Sequence, residues 1–192
     1  MLLRKTALRS LPNLLTMLRV LLIPWFLWLV FVSTHPGAIQ TALFVFAAAS
    51  ITDWLDGYLA RKWNVISDFG KIMDPLADKL LVLSALAGIT WRLPFRLSML
   101  IFSIILVREI VITILREVYK RRGIIVPADK LGKIKTVMQM TGLVAAYALW
   151  AWMAEISPLA RSLVNIWFWL VAVITVVSGA NYLMAKAPGA KK

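Results

Sequence analysis

The chain has 192 residues, 61% of them hydrophobic and only 16% charged, and its mean hydropathy is +0.81. Soluble domains carry roughly a quarter charged residues and disordered chains are poor in apolar ones, so both classes are excluded. The charge is lopsided, 22 Lys+Arg against 9 Asp+Glu for a net +13; on so apolar a background it points to an anionic membrane surface and not to nucleic acid.

A helix needs about 20 mainly apolar residues to cross a hydrocarbon core of about 30 Å. Six stretches qualify in chain order, at 14–33, 39–61, 71–91, 97–118, 133–154 and 161–184. Ahead of the first lies a basic segment, residues 1–13; Arg4 to Arg19, with Leu8 and Leu11 among them, suit a surface helix leading into the span. A cleaved leader would share this outline, but five further spans favour a retained first helix. The turn Thr34-His35-Pro36-Gly37 separates spans one and two, and the lone His35 reads as a polar turn residue. Spans two and three meet at a short turn near Val65 and Ile66, beside Ser67 and Asp68, both good N-cap residues. Arg92, Leu93 and Pro94 close the third span. The fourth carries Arg108 and Glu109 at its middle, and a loop over Arg121–Lys133 follows. Thr136–Ala154 and Ser162–Ala185 hold no charge at all. Spanning strands would alternate polar and apolar residues, which these runs do not. The expected fold is an all-α integral membrane protein of six transmembrane helices, a single domain over 1–192.

Orientation follows from Lys/Arg asymmetry. With the N-terminus in the cytoplasm, the outer loops hold only Arg92, Arg96 and Arg161, so both termini are expected on the cytoplasmic side of the cell membrane. The Trp residues, among them Trp25, Trp54, Trp63, Trp91 and Trp150, suit interfacial belts.

The acids are distributed unevenly. Five of the nine (Asp53, Asp56, Asp68, Asp74, Asp78) fall within 26 residues. An unpaired Asp near the centre of a spanning helix costs about 2.5–3.5 kcal/mol, so four cost on the order of 10 kcal/mol, comparable to a whole domain's stability. Something must neutralise them. Asp53 and Asp56 are spaced i, i+3 and Asp74 and Asp78 i, i+4, each pair on one helix face. Reflection about the turn puts Asp53 level with Asp78 and Asp56 level with residue 75. Without Cys, and with no nearby His, this all-oxygen set suits hard divalent cations, Mg²⁺ or Mn²⁺. Four carboxylates can hold two such ions, the arrangement used for in-line phosphoryl displacement. Gly57 and Ala60 leave room for a ligand against the backbone, or alternatively for close helix packing. Arg61 can grip phosphate oxygens. Asp68 reads instead as a helix cap.

Residues 53–78 run D-W-L-D-G-Y-L-A-R, eight residues, G, three, D, three, D. This resembles the full signature of the CDP-alcohol phosphotransferase family, D-x2-D-G-x2-A-R-x8-G-x3-D-x3-D, at every fixed position. The resemblance implies six transmembrane helices, a homodimer and a two-metal site open to the cytoplasm. It implies that Asp53, Asp56 and Asp74 bind metal, that Asp78 binds metal and acts as general base, and that Asp53, Asp56, Gly57, Ala60 and Arg61 serve the CDP group. Pro12-Asn13-Leu14-Leu15-Thr16-Met17-Leu18-Arg19 is similar to the P-N-x-x-T-x-x-R opening of the bacterial phosphatidylglycerophosphate synthase branch. Arg108-Glu109 and Gly132-Lys133-Ile134-Lys135-Thr136 with Gln139 resemble that branch too. That branch implies transfer of a phosphatidyl group from CDP-diacylglycerol to sn-glycerol 3-phosphate, with CMP released.

An acceptor bearing a phosphate dianion requires a second basic cluster. Arg108 is the foremost candidate, since a mid-span Arg is costly; the alternative is a structural pair with an acid on another span, adjacent Glu109 pointing about 100° away. Arg116, Lys133 and Lys135 are further candidates, against simple orientation and snorkelling to lipid phosphates. Arg19 carries the same alternative, and Asn13 and Thr16 join it as possible site residues. Rival functions are the same chemistry with inositol phosphate or serine as acceptor, or a cation transporter using the embedded acids. Transporters favour midplane charges and repeat symmetry; these acids lie near one boundary, and no repeat is visible.

Overall fold

The structure is a computed structural model describing residues 2–63, 68–92, 94–123 and 130–184. Within these, side chains are described from residue 14 onward, except at 53, 54, 56–63, 68–72 and 183. The described residues form six α-helices and no strand: α1 (Leu2–Phe31), α2 (Ala38–Trp63), α3 (Asp68–Trp91), α4 (Met99–Arg121), α5 (Lys130–Trp152) and α6 (Pro158–Met184). The all-α expectation holds, and each anticipated stretch falls on one helix, with α1, α4 and α5 falling two residues short at one end.

The boundaries differ in detail. The basic N-terminal segment is helical as expected and continues into the first span without a break, α1 running from Leu2 through Leu14, because Arg, Lys and Leu are strong helix formers. The loop anticipated over Arg121–Lys133 is shorter, since Lys130–Lys133 already belong to α5. Asp68 is the first residue of α3; its side chain and Ser67 lie outside the described residues. His35 behaves as expected: its Nδ1 accepts from the Gly37 N–H at 3.2 Å, and its own N–H donates to Ser33 Oγ at 3.3 Å.

The chain divides into two compact units, Met1–Gly88 with Tyr147–Ala154, and Ile89–Ala146 with Glu155–Lys192. In the first, Phe26, Phe46 and Tyr147 are fully buried and pack ring to ring, with Phe26 6.0 Å from Phe46 and 5.6 Å from Tyr147 by centroid. The Tyr147 hydroxyl donates to the Ala85 carbonyl at 3.1 Å. That approach needs glycine at 88, where a Cβ would stand 2.0 Å from the hydroxyl oxygen. Gln40 Nε2 donates to the Ala151 carbonyl in the same unit.

In the second unit, Ser98 caps α4 by accepting from Leu100 N–H, and Gly123, at φ 71°, follows its end. A left-handed residue just past the last turn is where glycine costs least. Gly142 does for this unit what Gly88 does for the other. A Cβ there would lie 2.5 Å from Trp167 Nε1, and that indole donates to the Met138 carbonyl at 2.9 Å.

The exposed faces are apolar: Leu21, Phe44, Ile51, Ile114, Val137, Leu163 and Val173 are each more than half exposed. Water-soluble monomers rarely present such continuous apolar surface. By length and composition alone, Leu14–Phe31 and Pro158–Tyr182 are long and apolar enough to cross a membrane.

Candidate active site

Polar side chains gather in each unit. In the first, Thr16 and Arg19 sit i, i+3 on α1 and are 1% and 0% exposed. Thr16 Oγ1 donates to Asp74 Oδ1 at 2.5 Å, and Arg19 Nε donates to the Ala49 carbonyl at 3.3 Å. Ala49 lies one turn before Asp53 on α2. Both α1 residues therefore engage the helices that carry the acids. Complete burial of Arg19 overturns the snorkelling alternative: the guanidinium is held by protein and does not reach out to lipid phosphates.

Asp74 and Asp78 are half-buried on one face of α3 with Pro75 between them. Proline has no N–H, so the carbonyl of residue 71 lacks its usual i+4 donor in the turn ahead of Asp74. The backbones of Asp53, Asp56, Gly57, Ala60 and Arg61 lie in the last turns of α2, and that of Asn13 lies in α1; their side chains are outside the described residues. Among the described residues no three His, Cys, Asp or Glu side chains gather as a metal site; two of the four expected ligands fall in that set. Their donor chemistry fits a hard cation: oxygen only, with a hydroxyl orienting one carboxylate, as partners behind metal ligands commonly do.

The second unit holds a bridged pair of cations. Glu109 Oε1 accepts from Arg108 Nη1 at 3.1 Å and from Lys135 Nζ at 2.6 Å, and Arg108 Nη2 donates to Ser178 Oγ at 3.0 Å. Side-chain exposure is 14% for Arg108 and Glu109 and 4% for Lys135. Gly132 and Gly179 line the Arg108 side chain: a Cβ on Gly132 would lie 3.6 Å from Arg108 Nη2, and one on Gly179 3.4 Å from its Cγ, ordinary contact distances. An apolar cavity of about 480 Å³ between α4 and α6 has Arg108 as its one charged wall residue.

The arrangement corrects the face arithmetic at Arg108. Glu109 does pair with its neighbour despite the angle between them on an ideal helix. Both side chains are long enough to swing inward, and Lys135 anchors the carboxylate from α5. Arg108 and Lys135 are thus brought together. Arg116 is exposed, its Cζ 5.7 Å from the Tyr182 ring centroid, a cation–π distance; Lys133 is exposed.

Sequence reasoning named Gln139 only within the resemblance and gave it no role. Among the described residues, three buried polar atoms of this unit have no hydrogen-bond partner: Arg108 Nε, Gln139 Nε2 and Tyr182 Oη. Each such group costs about 1–3 kcal/mol. The signal was available: Gln139 is a polar residue one turn beyond Lys135 in a stretch otherwise free of charge.

The signature of residues 53–78 and this pair of polar clusters on an all-helical scaffold agree with the match of residues 9–178 to the model of the CDP-alcohol phosphatidyltransferase family, and the chain belongs to that family. Among curated relatives, it is 37% identical over 188 residues to the CDP-diacylglycerol–glycerol-3-phosphate 3-phosphatidyltransferase of Escherichia coli (strain K12) and to that of Salmonella typhimurium (strain LT2), with 92% of this chain and 94% of each relative covered. The Shigella flexneri serotype 5b protein of the same name is 37% identical over 180 residues with the same coverage.

Proposed function

We propose that this protein is a membrane-embedded transferase that moves the phosphatidyl group of CDP-diacylglycerol onto sn-glycerol 3-phosphate. The observation that carries this reading is the complete signature from Asp53 to Asp78 in a chain similar, over nearly its whole length, to relatives named for that reaction. The primary hydroxyl oxygen of the acceptor forms a new bond to the phosphatidyl phosphorus, the bond to CMP breaks, and the hydroxyl proton passes to Asp78. Asp53, Asp56, Asp74 and Asp78 would hold two divalent cations, Mg²⁺ or Mn²⁺, which when bound neutralise the pyrophosphate. Thr16 fixes the rotamer of Asp74. Gly57, Ala60 and Arg61 receive the CDP group, Gly57 and Ala60 by leaving space and Arg61 by gripping phosphate.

Arg108 and Lys135 bind the acceptor phosphate. Their support is the inward, shared position of the two cations, which a merely orienting role would not require. Arg116 and Lys133 lie at the exposed ends of the same helices and draw the dianion in. Arg19 holds α1 against α2 through the Ala49 carbonyl, and Asn13 is a further residue of the site.

The same reading has six helices crossing the cell membrane, with both termini and the site at the cytoplasmic side, in a homodimer among anionic lipids. Apolar exposed faces and the scarcity of outer-loop cations speak for it.

Purified protein is expected to release CMP from CDP-diacylglycerol when given glycerol 3-phosphate and Mg²⁺ or Mn²⁺, and to stop when EDTA is added. Release with serine or inositol phosphate but none with glycerol 3-phosphate would reject the acceptor. Turnover that survives EDTA would reject the metal site.

A further inference from the structure

We infer that Gln139 is a specificity-determining residue, whose amide donates to the secondary hydroxyl of the acceptor. The inference rests on the reading that Arg108 and Lys135 hold the acceptor phosphate.

Gln139 is 1% exposed, and among the described residues its Nε2 has no hydrogen-bond partner. A buried amide donor left unmatched is uncommon, and where one persists a missing acceptor is the first explanation to test. Position says which acceptor. Gln139 follows Lys135 by four residues, so the two side chains leave the same face of α5, one turn apart. Lys135 is 4% exposed, so this shared face is the buried one. Its Nζ is tied to Glu109, and through that carboxylate to Arg108, which reaches Ser178. An anion seated on Arg108 and Lys135 is therefore flanked along α5 by an unmatched donor.

Glycerol 3-phosphate has the matching spacing. Its secondary hydroxyl oxygen lies about 4 Å from phosphorus, and successive turns of one helix face are about 5–6 Å apart. A Gln side chain is shorter than Lys, so its amide meets the group next to the phosphate and not the phosphate itself. One hydrogen bond to the secondary hydroxyl orients the carbon chain and so directs the primary hydroxyl, which must react. The other orphan atoms of the unit suit this less well. Arg108 Nε belongs to the phosphate clamp, and Tyr182 stacks with the exposed Arg116.

The test pairs a residue change with a substrate change. CMP release is measured with sn-glycerol 3-phosphate and with 3-hydroxypropyl phosphate, which keeps the primary hydroxyl and phosphate but lacks the secondary hydroxyl. Wild-type protein is expected to prefer glycerol 3-phosphate in kcat/KM by about tenfold or more, the discrimination that one hydrogen bond to a site built for it supports. In Gln139→Leu that preference is expected to shrink below about threefold. Leucine removes the unmatched amide while keeping an apolar side chain of similar reach, and Gln139→Met repeats the test with an unbranched one. Retention of the full preference in an active variant, or an equal loss on both acceptors in both variants, overturns the inference and leaves the overall reaction standing. Wild-type protein that releases no CMP with glycerol 3-phosphate overturns the reading beneath it as well.

Discussion

A carboxylate is a poor neighbour for a phosphate, yet Glu109 sits between the two cations that would bind one. Electrostatics accounts for it. Arg108 and Lys135 are taken from water onto the inside of the helices, and two like charges within about 6 Å of each other would repel by a few kcal/mol at an effective dielectric near 20. Glu109 turns that repulsion into two attractions and leaves a net single positive charge for the acceptor. Removing one member of a buried ion cluster costs about 3–5 kcal/mol, so Glu109→Ala is expected to lower the unfolding free energy in detergent by that amount. On the proposed mechanism, in which Asp78 takes the acceptor proton, Asp78→Asn is expected to reduce CMP release by about 10²–10⁴-fold, the range for loss of a general base. Thr16→Val should act differently. It removes the hydrogen bond that orients Asp74, so the Mn²⁺ concentration for half-maximal activity is expected to rise about tenfold. The acids were legible in the sequence because carboxylates in an apolar run demand an explanation. Glu109 was not, because face arithmetic treats side chains as rigid spokes, and long ones bend toward a partner on another helix.

At the scale of the helix, two glycines decide how closely elements approach. Gly88 gives way to the Tyr147 hydroxyl and to Val30, which stand 2.0 and 2.9 Å from where a Cβ would be. Gly88→Ala is expected to destabilise the fold by about 1–3 kcal/mol, the usual cost of overpacking, read as a lowered melting temperature. Gly37→Ala is the contrasting case, since nothing lies nearer than 3.7 Å to its added carbon; its melting temperature is expected to stay near that of wild type. Helix positions were largely legible because apolar length is a strong signal, and the ends were not. The start of α1 is polar, and its helix was legible, but not that it joins the span as one unbroken element. Lys130–Lys133 misled, because a basic run after Pro127 reads as loop. Contacts such as Trp167 to the Met138 carbonyl leave no periodic trace at all.

For the molecule as a whole, the positive charges are a topological statement. In the proposed orientation Arg92, Arg96 and Arg161 are the only basic residues at the outer ends of the spans, so a C-terminal fluorescent protein is expected to be bright and a C-terminal alkaline phosphatase inactive; the reverse would invert the orientation. The apolar exposed faces, from Leu21 to Val173, also bear on temperature. In water, folding withdraws such side chains from solvent and brings a heat-capacity change of about 12–15 cal/mol/K per residue. In a bilayer, lipid chains are as apolar as leucine, so parting the helices replaces one hydrocarbon contact with another. The heat-capacity change for separating these helices within lipid is therefore expected to be a small fraction of the aqueous value. Stability then varies almost linearly with temperature, and this fold has little reason to weaken in the cold.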